Sequence, residues 1–190
     1  MTGLCYSICM NTLIKDAIAD SIRGFRLPRY REIPDVGLYL EQATKYINQA
    51  IEPLGFGTFT GSMIRNYVKQ GLVSNPVHKQ YSANQIAHLM TIAILKQVTP
   101  LEHVNQLFCR QKTVYTDQTA YDYFCEELEN ILLHRFGLKD TFEDIGVTVS
   151  LEKEMLRSAI MAVSHIVYLN TCLVTAARFD AQQAAAEQRK

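Results

Sequence analysis

A chain of 190 residues, 48% of them hydrophobic, suits one domain or two small ones with a real core. Nineteen basic residues balance nineteen acidic ones, so overall charge points to no polyanionic partner. The placement of charge says more: residues 20–81 hold eight Lys/Arg against five Asp/Glu, while residues 82–190 hold ten against thirteen.

The opening "MTGLCYSICM" lacks a basic n-region and a small-residue cleavage site, and does not read as a signal peptide. Residues 11–22 place Leu13, Ile14, Ala17, Ile18 and Ile22 at helical spacing behind an Asn11 or Thr12 cap. The next stretch, "RGFRLPRYREIPD", spreads Arg23, Arg26, Arg29 and Arg31 among aromatics and two prolines. Pro28 and Pro34 each restrict the residue before them, so it is not regular helix throughout. It reads as an extended arm packed over the core, or as a basic arm laid along phosphates.

Leu40, Ala43, Ile47 and Ala50 form one stripe of an amphipathic helix from about Leu38 to Ile51, closed by the Pro53, Gly55 and Gly57 group. Thr60 then caps a second helix whose inner face is Met63, Ile64, Tyr67 and Val68, with Gly71 at its C′ position. "LVSNPVHKQYS" reads as a turn or a small two-stranded wing. Ser82 caps a third helix over residues 83–98, and Thr99-Pro100-x-Glu102 signals a fourth through a capping box. Tyr121, Phe124, Leu128, Ile131 and Leu132 define a helix from roughly Asp117 to Phe136, ended by Gly137. A last helix runs from Leu151 to about Gln183.

The order is a helix, a turn, a capped helix ending in Gly-Leu, a short wing ending in Tyr-Ser, a long helix and a Thr-Pro-led helix. A helix-turn-helix reads DNA because a helix fits the major groove and presents its first residues to base edges. A wing beside it lays basic side chains along the backbone.

The stretch from Phe59 to Phe108 resembles the MerR family of winged-helix transcription regulators. Phe59 and Thr60 fill the opening of the family pattern, Arg65 its arginine, Tyr67 its second aromatic, and Gly71-Leu72 its close. Lys79 lies two residues before Tyr81, in place of the wing arginine, and Thr99, Leu101 and Glu102 fit the start of the fourth helix. Asn66 and Val68 depart from the pattern, and the connection "EPLGFGTF" is longer than the family's tight turn. Most of the chain also looks like a bacterial family of unassigned function built around this module. The resemblance implies an all-α protein with a minor β-wing, a winged helix-turn-helix followed by a helical subdomain. Its boundaries are residues 1–35 for the first helix and arm, 36–110 for the winged module, and 111–190 for the helical subdomain. Thr60, Ser62, Arg65, Asn66, Tyr67, Lys69, Lys79 and Tyr81 are the implied DNA-binding residues. Arg65, Lys69 and Lys79 would meet phosphates. Ser62 and Asn66 would face bases, where asparagine can bond adenine bidentately.

Catalytic signals are poor: no Gly-rich phosphate loop, HExxH or GxSxG occurs, so no enzyme is predicted. The five cysteines are odd in number and without zinc-type spacing, as buried free thiols in a reducing cytosol would be. His103, Cys109, Cys125, His134, His165 and Cys172 are explained more simply as core or hydrogen-bonded groups than as metal ligands, and no cofactor is predicted. Ser158 to Ala177 carries no Asp, Glu, Lys or Arg and is close to the length of a membrane span. Its Ser164, His165, Asn170, Thr171 and Thr175 favour a buried or dimer-forming helix instead.

The expected protein is a cytoplasmic, duplex-DNA-binding homodimer joined through its C-terminal helices. A protein-interaction module on a degenerate winged-helix scaffold is one alternative. A ligand-sensing repressor, with a pocket lined by Tyr121, Phe124, Met161 and Tyr168, is another.

Overall fold

The computed structural model describes residues 2–141, 145 and 150–188, with side chains described from residue 11 onward except that of residue 187. Among these residues are seven α-helices and two very short strands, so the fold is all-α: α1 (Thr2–Ile22), β1 (Leu38–Tyr39), α2 (Leu40–Ile51), α3 (Gly61–Lys69), β2 (Gln80–Tyr81), α4 (Ala83–Leu95), α5 (Leu101–Gln111), α6 (Asp117–Arg135) and α7 (Leu151–Glu187).

The fold is organised around α4. From Gln85 to Leu95 every residue except His88 is buried, because α2, α5, α6 and α7 all pack on it. A helix that is apolar all round belongs inside a fold. Ile86, Leu89, Met90, Ile92, Ile94 and Leu95 are completely covered. Each such side chain contributes roughly 1.5–3 kcal/mol relative to an exposed position. The entry to α4 is a capping box: Ser82 Oγ accepts the Gln85 amide at 3.4 Å, and Gln85 Oε1 accepts the Ser82 amide at 2.8 Å. Gln85 Nε2 also donates to the Ser74 carbonyl at 2.7 Å, which ties the base of the wing to the core helix.

Three expectations about element ends are corrected. Helix α1 begins at Thr2 rather than near Asn11, since no proline interrupts residues 2–22. Leu38 and Tyr39 are strand rather than the first turn of α2. The capping box expected at Thr99 and Glu102 does not form. Pro100 itself is the cap, with an extended ψ of 149°, so Glu102 falls one position too early to reach back. The Thr99 hydroxyl lies 3.1 Å from His103 Nδ1 instead.

The arm after α1 packs on the body. Gly24, at φ 76°, turns the chain out of α1, and Phe25, Leu27 and Ile33 enter the core. Glu129 of α6 clasps the arm: it accepts the Leu27 amide at 2.9 Å and both Arg29 terminal nitrogens at 2.6 and 2.7 Å. Asp122 accepts the Tyr30 amide at 2.7 Å.

Helix α7 has 37 residues, so it spans roughly 55 Å, about twice the length of α6. Its Leu156, Ile160, Val163 and Val167 are core, and Arg157 Nε lies 3.0 Å from the fully buried Glu127 carboxylate. Farther along, Leu169, Leu173 and Val174 are 56%, 62% and 70% exposed. By length and composition α7 could cross a membrane; in this fold one face of its first half is core. The four side chains expected to line a pocket do not converge. Tyr121 and Phe124 are buried, with the Tyr121 hydroxyl 3.0 Å from Met90 Sδ. Met161 is exposed, and Tyr168 packs edge-on against Phe136 under the Arg135 guanidinium.

Candidate nucleic-acid interface

The connection between α2 and α3 is long, yet one side chain closes it. Asn48 Oδ1 accepts the Phe59 amide at 2.8 Å, while Asn48 Nδ2 donates to the Phe59 carbonyl at 2.7 Å. Both backbone groups of Phe59 are thereby satisfied, and its ring is buried 6.0 Å from that of Tyr67. Lys96 Nζ sits 5.3 Å from the centre of the same ring and 3.5 Å from Met63 Sδ. That burial lowers the Lys96 pKa. Gly61 eases the approach of α3 to α2: a Cβ there would lie 3.3 Å from Leu40 Cδ2 and Cγ, and the Leu40 side chain would have to shift slightly. Thr60 caps α3, its Oγ1 accepting the Met63 amide at 3.3 Å. At the other end Gly71, at φ 75°, allows the Leu72 amide to reach the Tyr67 carbonyl at 3.0 Å.

This framing fixes which way α3 faces. Ile64 and Tyr67 point inward, whereas Ser62, Arg65, Asn66 and Lys69 are exposed, at the i, i+3, i+4 and i+7 spacing of a single helix face. Tyr67 is a correction to the expected contact set. Only 4% of it is exposed, so it supports α3 from beneath rather than presenting a ring outward.

The wing is built differently from the expected pair of strands. Its strand β2 pairs antiparallel with β1, Leu38 opposite Tyr81 and Tyr39 opposite Gln80. The wing tip is a two-residue turn in which Val77 and Gln80 exchange backbone hydrogen bonds of 3.1 and 2.9 Å. The two central residues, His78 and Lys79, have φ of 50° and 65°. A tight hairpin needs such left-handed backbone, and glycine or asparagine normally supplies it. Here the chain holds a lysine in a strained position and presents its side chain to solvent.

Two shallow grooves meet at Arg65. One runs between α2 and α3, lined by Leu40, Glu41, Thr44, Lys45, Gly61, Ser62 and Arg65, with Asn48 at its base. The other runs between α3 and the wing, lined by Leu40, Arg65, Val68, Pro76, Lys79 and Tyr81. Arg65 and Leu40 belong to both. Tyr81 is nearly buried but reaches the second groove, where burial raises its pKa against the opposing effect of the Arg65 guanidinium. Arg65, Lys79, Tyr81 and Ser62 are therefore brought together. Asn66 shares the α3 face without lining either groove, and Lys69 lies toward its far end. Lys45 escaped the sequence reading, since Glu41 and Lys45 are spaced as an ordinary solvated i, i+4 pair. Among the described residues none of Lys45, Arg65, Lys69 and Lys79 enters an ion pair.

No set of three His, Cys, Asp or Glu side chains gathers into a metal-binding group among the described residues. Cys109 is exposed, Cys172 is half-buried, and burial pushes the Cys125 thiol up to about 12.

Comparison with known proteins finds no similar curated protein and no similar solved structure. A family model does match, over residues 28–124, from the arm through α2, α3, the wing, α4 and α5 into α6. Because the matched stretch covers half of the chain, the protein belongs to the family described as Domain of unknown function (DUF1836).

Proposed function

We propose that this chain is a DNA-binding transcriptional regulator that uses α3 and the β-wing as a MerR-like winged helix and catalyses no reaction. The supporting observation is the position of Arg65. It lies where two grooves meet, with Lys45 along one and Lys79 along the other, and no carboxylate of the described fold pairs with any of the three. Cations on two neighbouring helices and the wing beside them are the groups that would contact the phosphates of a duplex. Ser62 and Asn66, on the exposed face beside Arg65, then fall toward base edges in the major groove. The exposed Leu169, Leu173 and Val174 of α7 support a homodimer through the C-terminal helices, since two-fold readers need such a contact.

A mobility-shift titration of the full chain on duplex DNA at several salt concentrations tests this reading. The Arg65→Ala/Lys79→Ala double change should weaken binding across all sequences and flatten the log–log salt slope by roughly two. Unchanged affinity and slope would remove these contacts, and absence of duplex binding by the unaltered protein would remove the function. Sedimentation as a monomer at DNA-binding concentrations would exclude the dimer.

A further inference from the structure

Helix α7 carries a second apolar pattern beside the one that builds the core. Met155, Ala159, Ala162, Ile166, Leu169 and Leu173 follow one another at alternating steps of four and three residues. That alternation, 3.5 residues on average, keeps a stripe on one side of a helix and is the period of a seam between two long helices. The stripe is not the core face, which is Leu156, Ile160, Val163 and Val167. Ala162, Leu169 and Leu173 are exposed, and Met155, Ala159 and Ile166 are half-buried. No Asp, Glu, Lys or Arg occurs from residue 158 to residue 177. We propose that this stripe is the seam between two copies of the chain, with their α7 helices running antiparallel. The second half of each α7 then lies in the groove between α5 and α7 of the other copy. This inference rests on the homodimer of the preceding reading and not on its DNA contacts.

The order of sizes along the stripe sets the direction. Its first half holds Ala159 and Ala162, its second half Leu169 and Leu173, with Ile166 between them. An antiparallel two-fold pair brings the large half of each helix against the small half of the other. A parallel pair sets alanine on alanine at one end and leucine on leucine at the other. Helices held apart by the leucines would then leave the alanine layers empty, which close-packed interfaces do not tolerate. The body supplies a seat on the same side. Met155 and Ala159 line an open groove together with His103, Leu107 and Arg110 of α5. In the antiparallel pair, Leu173 of the second copy reaches this groove beside Ala159. Charge agrees with the direction. Asp180 is exposed, lies seven residues beyond Leu173 on the same stripe, and enters no ion pair among the described residues. The antiparallel run carries it past Met155 to the end of the groove where Arg110 lies, 3.9 Å from its own Glu152. A parallel run would set Asp180 against its own copy instead.

Site-specific photo-cross-linking of the full chain tests the seam, with p-benzoylphenylalanine in place of Leu173. Mixing isotopically heavy and light chains in equal parts tells links between copies from links within one. Irradiation should join position 173 of one copy to residues 155–162 or 103–110 of the other, read by mass spectrometry of heavy–light peptides. Links from position 173 to the same stretch of the second copy overturn the antiparallel direction. A dimer by sedimentation without heavy–light links from this position overturns the seam and leaves the homodimer, whereas a monomer at DNA-binding concentrations removes both. Ala162→Glu puts a charge at an exposed position in the middle of the stripe, so it should keep the helical circular dichroism. It should raise the dimer dissociation constant about a hundredfold, and an unchanged constant overturns the seam. Arg110→Asp and Asp180→Arg should each weaken the dimer about fivefold and together restore it. Losses that simply add in the double variant overturn the seating in the groove. A protein that dimerises in this way but never binds duplex DNA removes the parent reading and leaves the seam in place.

Discussion

Residues 23–31 and residues 65–79 both read as basic along the chain, and the first of them is much the denser in arginine. In the fold the dense stretch has its charge largely answered. Arg23 meets Asp20 at 2.8 Å, Arg26 meets Glu32 at 2.8 Å, and Arg29 is held by both oxygens of Glu129, which raises its pKa further. In the sparser stretch Arg65, Lys69 and Lys79 enter no ion pair among the described residues, although Glu41 lines the same groove as Arg65. Counting basic residues along a sequence therefore misplaces the available charge. The deciding partner of Arg29 lies 100 positions away on α6, where nothing near the arm announces it. In one region three of the four arginines meet carboxylates of the chain itself, and in the other Arg65, Lys69 and Lys79 stay outside ion pairs among the described residues.

The contrast can be broken most sharply at Glu129. Glu129→Ala removes the acceptor of three hydrogen bonds and strands a half-buried guanidinium. Partial exposure of the pair moderates the loss, to about 2–3 kcal/mol of stability, read from the urea midpoint. Arg65→Ala/Lys79→Ala should move the same midpoint by no more than about 0.5 kcal/mol. Equal losses in both regions would mean that the α3 and wing cations also serve the fold.

A smaller and opposite effect is expected at the wing tip. Lys79→Gly relieves left-handed strain at φ 65° and should raise stability by about 0.5–1 kcal/mol, while weakening duplex binding. A gain in stability with binding unchanged would show that the lysine is kept there for some reason other than DNA.

Acid titration gives the smallest effect and tests the arm alone. Glu32 has its pKa held below the ordinary 4.5, first by the Arg26 side chain and then by the Arg29 amide. A carboxylate depressed in the folded state contributes stability above its unfolded pKa and loses it as pH falls through the folded value. The urea midpoint should therefore decline more steeply below about pH 4.5 in the unaltered protein than in Glu32→Gln. Parallel declines would show that the Arg26–Glu32 contact adds nothing in solution.

Much of the helical plan was legible from residues 11 to 183. The Thr60 and Ser82 caps, the Gly71 and Gly137 ends and the inward stripe of α3 are local signals, each set by backbone hydrogen bonding within a few residues. The candidate interface was half legible. Ser62, Arg65 and Asn66 could be placed on one face from spacing alone, and the same spacing put Tyr67 on the packed side although the resemblance counted it as a contact, whereas Lys45 escaped notice.

What the sequence determined by itself is the set of helices and the side each presents, because capping and periodicity act over one or two turns. Tertiary structure alone decided three other things: that β1 completes the wing, that Glu129 reaches back to neutralise the arm, and that Lys45 joins Arg65 across two helices. Each of these depends on residues far apart in the chain meeting in space. The strand pair adds a further reason: with two residues each, β1 and β2 are too short to leave a pattern in sequence, and only their mutual pairing makes them strands.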